Sequence, residues 1–227
     1  MNLLILGRGK TGSLVAEVAR ERGHAVAVLC AADNPRASAL TAERLGKVDV
    51  IIDFTTAQAV LENIEACVRA GKNMVVGTTG WYGELPKIRQ MVETSGTGLL
   101  YGANFSVGIN LFFEVARTVA AALQHHHYLG QIFERHHAQK KDAPSGTAML
   151  LRKIIEDASG TELEIISFRE GDVVGMHEVV LDSPNDTIYL CHDAKSRRGF
   201  AEGAVRAAEW VSDKKGFFDF KEVWRAL

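Results

Sequence analysis

Asn2-Leu3-Leu4-Ile5-Leu6-Gly7-Arg8-Gly9-Lys10-Thr11-Gly12-Ser13-Leu14-Val15-Ala16 opens the chain and sets its architecture. A short apolar strand runs into a Gly-x-Gly-x-x-Gly turn, after which apolar residues recur at helical spacing. In such a turn the first glycine permits the tight bend and the second lets the backbone approach a pyrophosphate. The third lets helix and strand pack closely, and the uncovered N–H groups of the helix start favour negative charge. Residues 24–29 follow as a second strand, so Gly7, Arg8, Gly9, Lys10, Thr11 and Gly12 are expected to hold a dinucleotide. Asp33 is the acid nearest the end of that strand for the ribose hydroxyls, while Arg36 beside it suits a 2′-phosphate. These residues leave NADH and NADPH open.

The alternation continues. Residues 48–54 read as a strand, 57–70 as a helix stopped by Gly71, 73–76 as a strand, 86–93 as a helix and 98–101 as a strand. That order predicts a parallel sheet with right-handed crossovers, whose ligands bind at the carboxyl ends of the strands. Three turns converge there: Gly7 to Gly12, Gly77-Thr78-Thr79-Gly80, and Ala103-Asn104-Phe105-Ser106. Beyond Ser106 the pattern changes to a helix over 110–123, a strand over 128–133 leading into a loop with His136, and a helix over 147–158. Residues 164–169, 175–181 and 187–191 then alternate like antiparallel strands, and a helix over 199–212 returns to the first domain. The fold class is α/β. A Rossmann-type parallel-sheet domain, residues 1–106 completed by 198–227, precedes an α+β domain of mostly antiparallel sheet, residues 107–197.

The chemistry concentrates in Glu134-Arg135-His136-His137-Ala138-Gln139-Lys140-Lys141-Asp142-Ala143-Pro144-Ser145-Gly146-Thr147. Imidazole exchanges a proton near neutral pH, and an ammonium supplies a proton or holds an anion. A Ser-Gly-Thr turn that opens a helix offers N–H groups and hydroxyls to a carboxylate. Together they point to a small acidic substrate.

The chain of 227 residues, 47% hydrophobic and 24% charged, holds one large or two small domains. Its net charge of −2 gives no reason to expect nucleic acid or an acidic membrane as partner. Cys30, Cys67 and Cys191 are scattered without metal-like spacing and read as free thiols of a cytoplasmic protein. No apolar run has the length of a membrane span. No metal is expected: His125, His126 and His127 are consecutive, whereas helical ligand pairs stand three or four apart. His177 and His192 read as structural strand residues, and Trp81, Trp210 and Trp224 as packing residues.

Five blocks in order resemble the 4-hydroxy-tetrahydrodipicolinate reductase family. They are Asp53-Phe54-Thr55, Gly77 to Gly80, Ala103 to Asn110, Glu134-x-His136-His137-x-x-Lys140-x-Asp142-Ala143-Pro144-Ser145-Gly146-Thr147, and Arg169-x-Gly171-Asp172-x-x-Gly175-x-His177. The resemblance covers nearly the whole chain. It implies reduction of a cyclic imine dicarboxylate by hydride from NADH or NADPH, in diaminopimelate and lysine biosynthesis. It implies that Gly77, Thr78 and Thr79 with Ala103, Asn104 and Phe105 hold the nicotinamide half. By the same resemblance His136 is the acid/base group and Lys140 the proton-donating or charge-stabilising one. His137, Gly146 and Thr147 match substrate positions, with Ser145 in the same turn; Arg197 matches a contact between the domains. A homotetramer built through the second domain's sheet is also implied. Two features depart from the pattern. Lys10-Thr11 stand where many relatives have Arg-Met in a glycine turn one residue longer, and the stretch between the second strand and Asp53 is short. Another two-domain NAD(P)-dependent dehydrogenase would share the nucleotide half without His136-His137-x-x-Lys140. A non-catalytic nucleotide-sensing relative would lose the acid/base residues, and here both sets are present.

Overall fold

Leu3, Leu4, Ile5 and Leu6 all lie inside, so the first strand is covered on both faces, as strands of parallel sheets are. The computed structural model describes residues 1–123 and 128–227, in two compact units: 1–107 with 198–227, and 108–197. His125 to His127 lie outside the described residues.

The first unit runs β1 (Asn2–Leu6), α1 (Lys10–Glu21), β2 (Ala25–Leu29), α2 (Ala42–Gly46), β3 (Val50–Asp53), α3 (Val60–Arg69), β4 (Asn73–Val76), α4 (Leu85–Ser95) and β5 (Gly98–Tyr101). It is completed by α7 (Arg198–Val211), β10 (Gly216–Asp219) and α8 (Phe220–Val223). All strands are parallel, in the order β10-β5-β4-β3-β1-β2. Alternate residues serve opposite cores. Leu3, Ile5 and Ile52 meet the small-residue face of α7 and the apolar face of α1, while Leu4, Leu6 and Ile51 meet α3 and α4. β10 has no counterpart in the sequence reading. Its four residues, Gly-Phe-Phe-Asp, are too few to show a period, and pairing with β5 is what makes them a strand.

The second unit contains α5 (Val107–Leu123), β6 (Leu129–His136), α6 (Gly146–Ser159), β7 (Glu164–Arg169), β8 (Met176–Asp182) and β9 (Thr187–Asp193). The sheet order is β7-β6-β8-β9. One face packs Ile132, Val179 and Leu181 against Ile109, Phe112 and Phe113 of α5 and Leu151 and Ile155 of α6. Two expectations are corrected here. β7 pairs parallel to β6, because α6 carries the chain back before β7 begins. The strand expected to stop at residue 133 continues to His136, so His136 ends a strand instead of sitting in a loop.

Among the described residues no helix is long and apolar enough to cross a membrane. The tightest approach in the first unit is α7 on the turn after β5, where a Cβ on Gly203 would stand 1.8 Å from the Phe105 carbonyl oxygen. Gly203→Ala is expected to cost about 1–3 kcal/mol in urea unfolding, the usual range for overpacking. Gly46→Ala, which meets open space, is the control; equal midpoints for the two variants would refute this packing account.

Candidate active site

The first unit's site starts from the bend between β1 and α1. Gly7 has φ +103°, and a Cβ there would lie 2.2 Å from the Phe54 carbonyl oxygen. A Cβ on Gly12 would lie 2.2 Å from the Gly7 oxygen, whereas one on Gly9 would meet nothing within 4 Å. Two glycines are therefore required by the protein itself, and the one between them faces open space. Gly9 stands at the N-cap of α1 without a side-chain cap, so the first N–H groups of the helix stay uncovered for an anion. A cleft of about 560 Å³ joins Gly9 to Gly12 with Thr55, Thr56 and Gly77 to Gly80.

Asp53, at the carboxyl end of β3 and fully buried, holds this cleft together. Its Oδ1 accepts from the Thr55 N–H at 2.9 Å, the Thr55 hydroxyl at 2.7 Å and the Thr78 hydroxyl at 2.7 Å. Its Oδ2 accepts from Asn63 Nδ2 at 2.8 Å. The Thr78 side chain is thus committed to Asp53, while Thr79 is exposed. Ala103 and Asn104 follow β5 but do not line the cleft, and the Phe105 ring is buried against Phe220 at 4.7 Å. On the β2 side a smaller cavity of about 320 Å³ is lined by Gly7, Arg8, Gly9, Pro35 and Arg36, among others. Asp33 is not among them: its Oδ2 accepts from the Cys30 N–H at 3.3 Å and the Cys30 thiol at 2.9 Å.

The second unit's site follows from strand register. Ser167 of β7, Glu134 of β6, His177 of β8 and His192 of β9 form one row across the sheet, and Arg169 pairs with His136 in the next. Glu134 has no exposed surface and His136 is 8% exposed. Glu134 Oε1 accepts from Arg169 Nη2 at 2.7 Å and from the Ser145 N–H at 3.1 Å. Its Oε2 lies 2.7 Å from His136 Nδ1, though the two are not aligned as a straight hydrogen bond. Burial would raise the Glu134 pKa, but Ser167, Arg169 and Ser145 overcome this and hold it down at about 2. Ser167 acts there by proximity, since its hydroxyl is not squarely aimed. Burial lowers His136 below the ordinary imidazole value; Lys140 and Arg169 push the same way and Glu134 opposes. Burial, with His136 next, pushes His177 down to about 4.

Lys140 Nζ is held by Asp142 at 2.7 and 2.9 Å, and its N–H bonds the His137 carbonyl at 3.0 Å. Ser145 is the N-cap of α6, its Oγ accepting from the Ala148 N–H at 3.2 Å and lying 3.3 Å from His177 Nε2. The Ser145 hydroxyl is therefore internal, and what the turn presents outward are Gly146 and Thr147 of the first helical turn. Glu134, His136 and His177 place three ligand-type atoms within 4.8 Å of one another, but the guanidinium of Arg169 already shares the Glu134 carboxylate. Glu134, Arg169, His177 and Asp53 were not among the expected site residues. The available signal was the i, i+2 spacing of Glu134 and His136, which becomes meaningful once the strand is carried through to His136.

Residues 1–105 match the family model described as dihydrodipicolinate reductase, N-terminus, and residues 108–224 the one for its C-terminus. A protein of Christiangramia forsetii named 4-hydroxy-tetrahydrodipicolinate reductase is 36% identical over 236 residues, covering 98% of this chain and 97% of that protein. One of the same name from Chromobacterium violaceum is 40% identical over 200 residues, covering 79% of this chain and 74% of its own. The solved structure of a dipicolinate-bound dihydrodipicolinate reductase from Paenisporosarcina sp. TG-14 has the same fold. Its TM-score is 0.79 at 23% identity, over 98% of this chain and 99% of that one.

The low pKa of Glu134 has a direct consequence for stability. A carboxylate at about 2 in the folded protein and at the ordinary 4.5 when unfolded stabilises the fold fully above 4.5, and that contribution is lost as pH falls toward 2. Urea unfolding across that window is expected to show a steep loss for the native protein and a flatter curve for Glu134→Gln. Parallel curves would contradict this.

Proposed function

We propose a hydride-transfer mechanism from one premise: this chain belongs to the dihydrodipicolinate reductase family. It is an oxidoreductase that reduces 4-hydroxy-tetrahydrodipicolinate to tetrahydrodipicolinate, a step of diaminopimelate and lysine biosynthesis. The observation that carries the reading is the second unit's cluster, where a buried histidine backed by a buried carboxylate stands near a lysine and the open first turn of α6.

A nicotinamide dinucleotide bound on the first unit's turns supplies the hydride. Gly7 to Gly12 fit its phosphates, since only Gly9 of the three glycines faces open space and the α1 N-terminus is uncapped. Gly77 to Gly80 and the backbone of Ala103 to Phe105 serve its nicotinamide half. Arg8 and Arg36 line the adenosine side while Asp33 is turned onto Cys30, an arrangement that favours NADPH over NADH. On the substrate side, the N–H groups of Gly146 and Thr147 with the Thr147 hydroxyl receive one ring carboxylate, and His137 flanks it. The net change replaces the ring's 4-hydroxyl by hydrogen. The hydroxyl leaves as water to give a conjugated imine, hydride adds at C4, and the negative charge this places on the rest of the π-system is quenched by proton transfer. His136 is the acid/base group for that step and Lys140 the adjacent ammonium that stabilises the charge or donates.

The second unit's sheet leaves one face open, with Leu129 79% exposed and Tyr189 65% exposed toward one end and Phe168 on the same face at the far corner. Such a patch fits association through this sheet into a homotetramer. The three free cysteines fit a reducing cytoplasm.

Absorbance of NADPH and NADH with enzymatically generated 4-hydroxy-tetrahydrodipicolinate tests the reading. Rapid oxidation is expected, reduced roughly 10²–10⁴-fold in kcat by His136→Ala or Lys140→Ala. Arg36→Ala should raise KM for NADPH far more than for NADH. Nucleotide binding without oxidation would leave a sensing protein and sink the enzyme reading. Separately, light scattering should give four times the chain mass, and a monomer at assay concentration would refute the tetramer.

A further inference from the structure

The carboxylate of Glu134 is the one charged group in the second unit's site with no surface of its own, and its contacts divide cleanly between its two oxygens. Oε1 faces Arg169 and the Ser145 N–H. Oε2 is left facing His136 Nδ1 at 2.7 Å. An ionised carboxylate only accepts, so the ring nitrogen it faces is the one that carries the proton. Catalytic contacts of this kind are often imperfectly aligned before substrate binds, and a small ring rotation straightens this one.

The opposite side of the same ring is bounded by backbone. Continuing the β6–β8 register one step past Arg135 and Met176 places Gly175 opposite His136. A Cβ at Gly175 would stand 3.0 Å from His136 Nε2 and 3.3 Å from Cδ2. Gly175 does not have a positive φ, so its backbone does not require glycine; a side chain there would crowd the space beside Nε2 and press on the ring.

We propose that Glu134 is a positioning residue that holds His136 with Nδ1 protonated and turned inward. Nε2 is then the atom that exchanges a proton with substrate, and Gly175 is side-chain-free to keep Nε2 accessible. The inference rests on the assignment of His136 as the acid/base group. The charged and titratable groups facing His136 are Glu134 on its own strand, Arg169 of β7, His177 of β8 with His192 behind it on β9, and Lys140 from the following loop. Of these only Glu134 favours the protonated ring, so its removal moves the His136 titration to lower pH.

The test is ¹⁵N NMR of the full-length protein at pH 8 together with kcat–pH profiles. The native His136 signal should be that of an Nδ1–H tautomer; an Nε2–H tautomer would overturn the proposal without need of a variant. Glu134→Gln should lower kcat roughly 10²–10⁴-fold, leave KM for NADPH unchanged, and shift the kcat profile to lower pH. A merely structural role would move neither tautomer nor profile. Gly175→Ala should keep the Nδ1–H tautomer yet lose turnover, and native kcat in that variant would refute the role given to Nε2. If His136→Ala retains turnover, the acid/base assignment itself fails. If His136→Ala is inactive while Glu134→Gln keeps native kcat and profile, only the role of Glu134 fails.

Discussion

A carboxylate with no solvent must find its counter-charge and hydrogen bonds within the fold, and Glu134 organises the second unit by doing so. Arg169 reaches it only because β7 runs parallel to β6, which brings Arg169 beside His136 in register. The Ser145 N–H reaches it only because the turn before α6 folds back over the strand end. The same contacts fix the N-cap of α6 and the inward edge of the histidine ring. Three elements distant in sequence are thereby held to one pair of oxygens, and the outward edges of His136 and α6 are what remain for chemistry.

The first unit solves a similar problem without a cation. Asp53 is buried at the end of its strand and is satisfied by two hydroxyls, an N–H and a side-chain amide. Asn63, which donates to it, in turn accepts from Asn34, whose Oδ1 takes the Ala39 N–H. A continuous set of neutral donors therefore runs from Thr78, on the wall of the larger cleft, to the segment after β2, which lines the smaller cavity. With neutral donors on Asp53, the positive charge at the cleft comes from the helix start and Lys10, and at the smaller cavity from Arg8 and Arg36, which suits a ligand carrying phosphates.

Much of the fold was legible because its signals are local. The glycine turn, the apolar strands and the caps lie within a few residues of what they specify, and strands 73–76, 98–101 and 164–169 match the structure residue for residue. What escaped depends on partners far away in the chain. β10 is a strand because β5 is there to pair with it, and β7 is parallel because α6 intervenes. In the site, His136 and Lys140 stand out by residue type, whereas Glu134 reads as one more acid in a polar stretch until the sheet register places Ser167, His177 and Arg169 around it. Thr78, Phe105 and Ser145 show the converse: each sits in a turn that reads as ligand-facing, and each has its side chain committed to the protein interior.

The most direct test of the reductase account is to follow the hydride itself. NADPH carrying deuterium at the transferable C4 position should deliver about one deuterium per molecule of tetrahydrodipicolinate, read by mass spectrometry of the product. Product that forms at the normal rate without deuterium, or label that is lost to solvent, would contradict direct transfer from the nicotinamide to the ring.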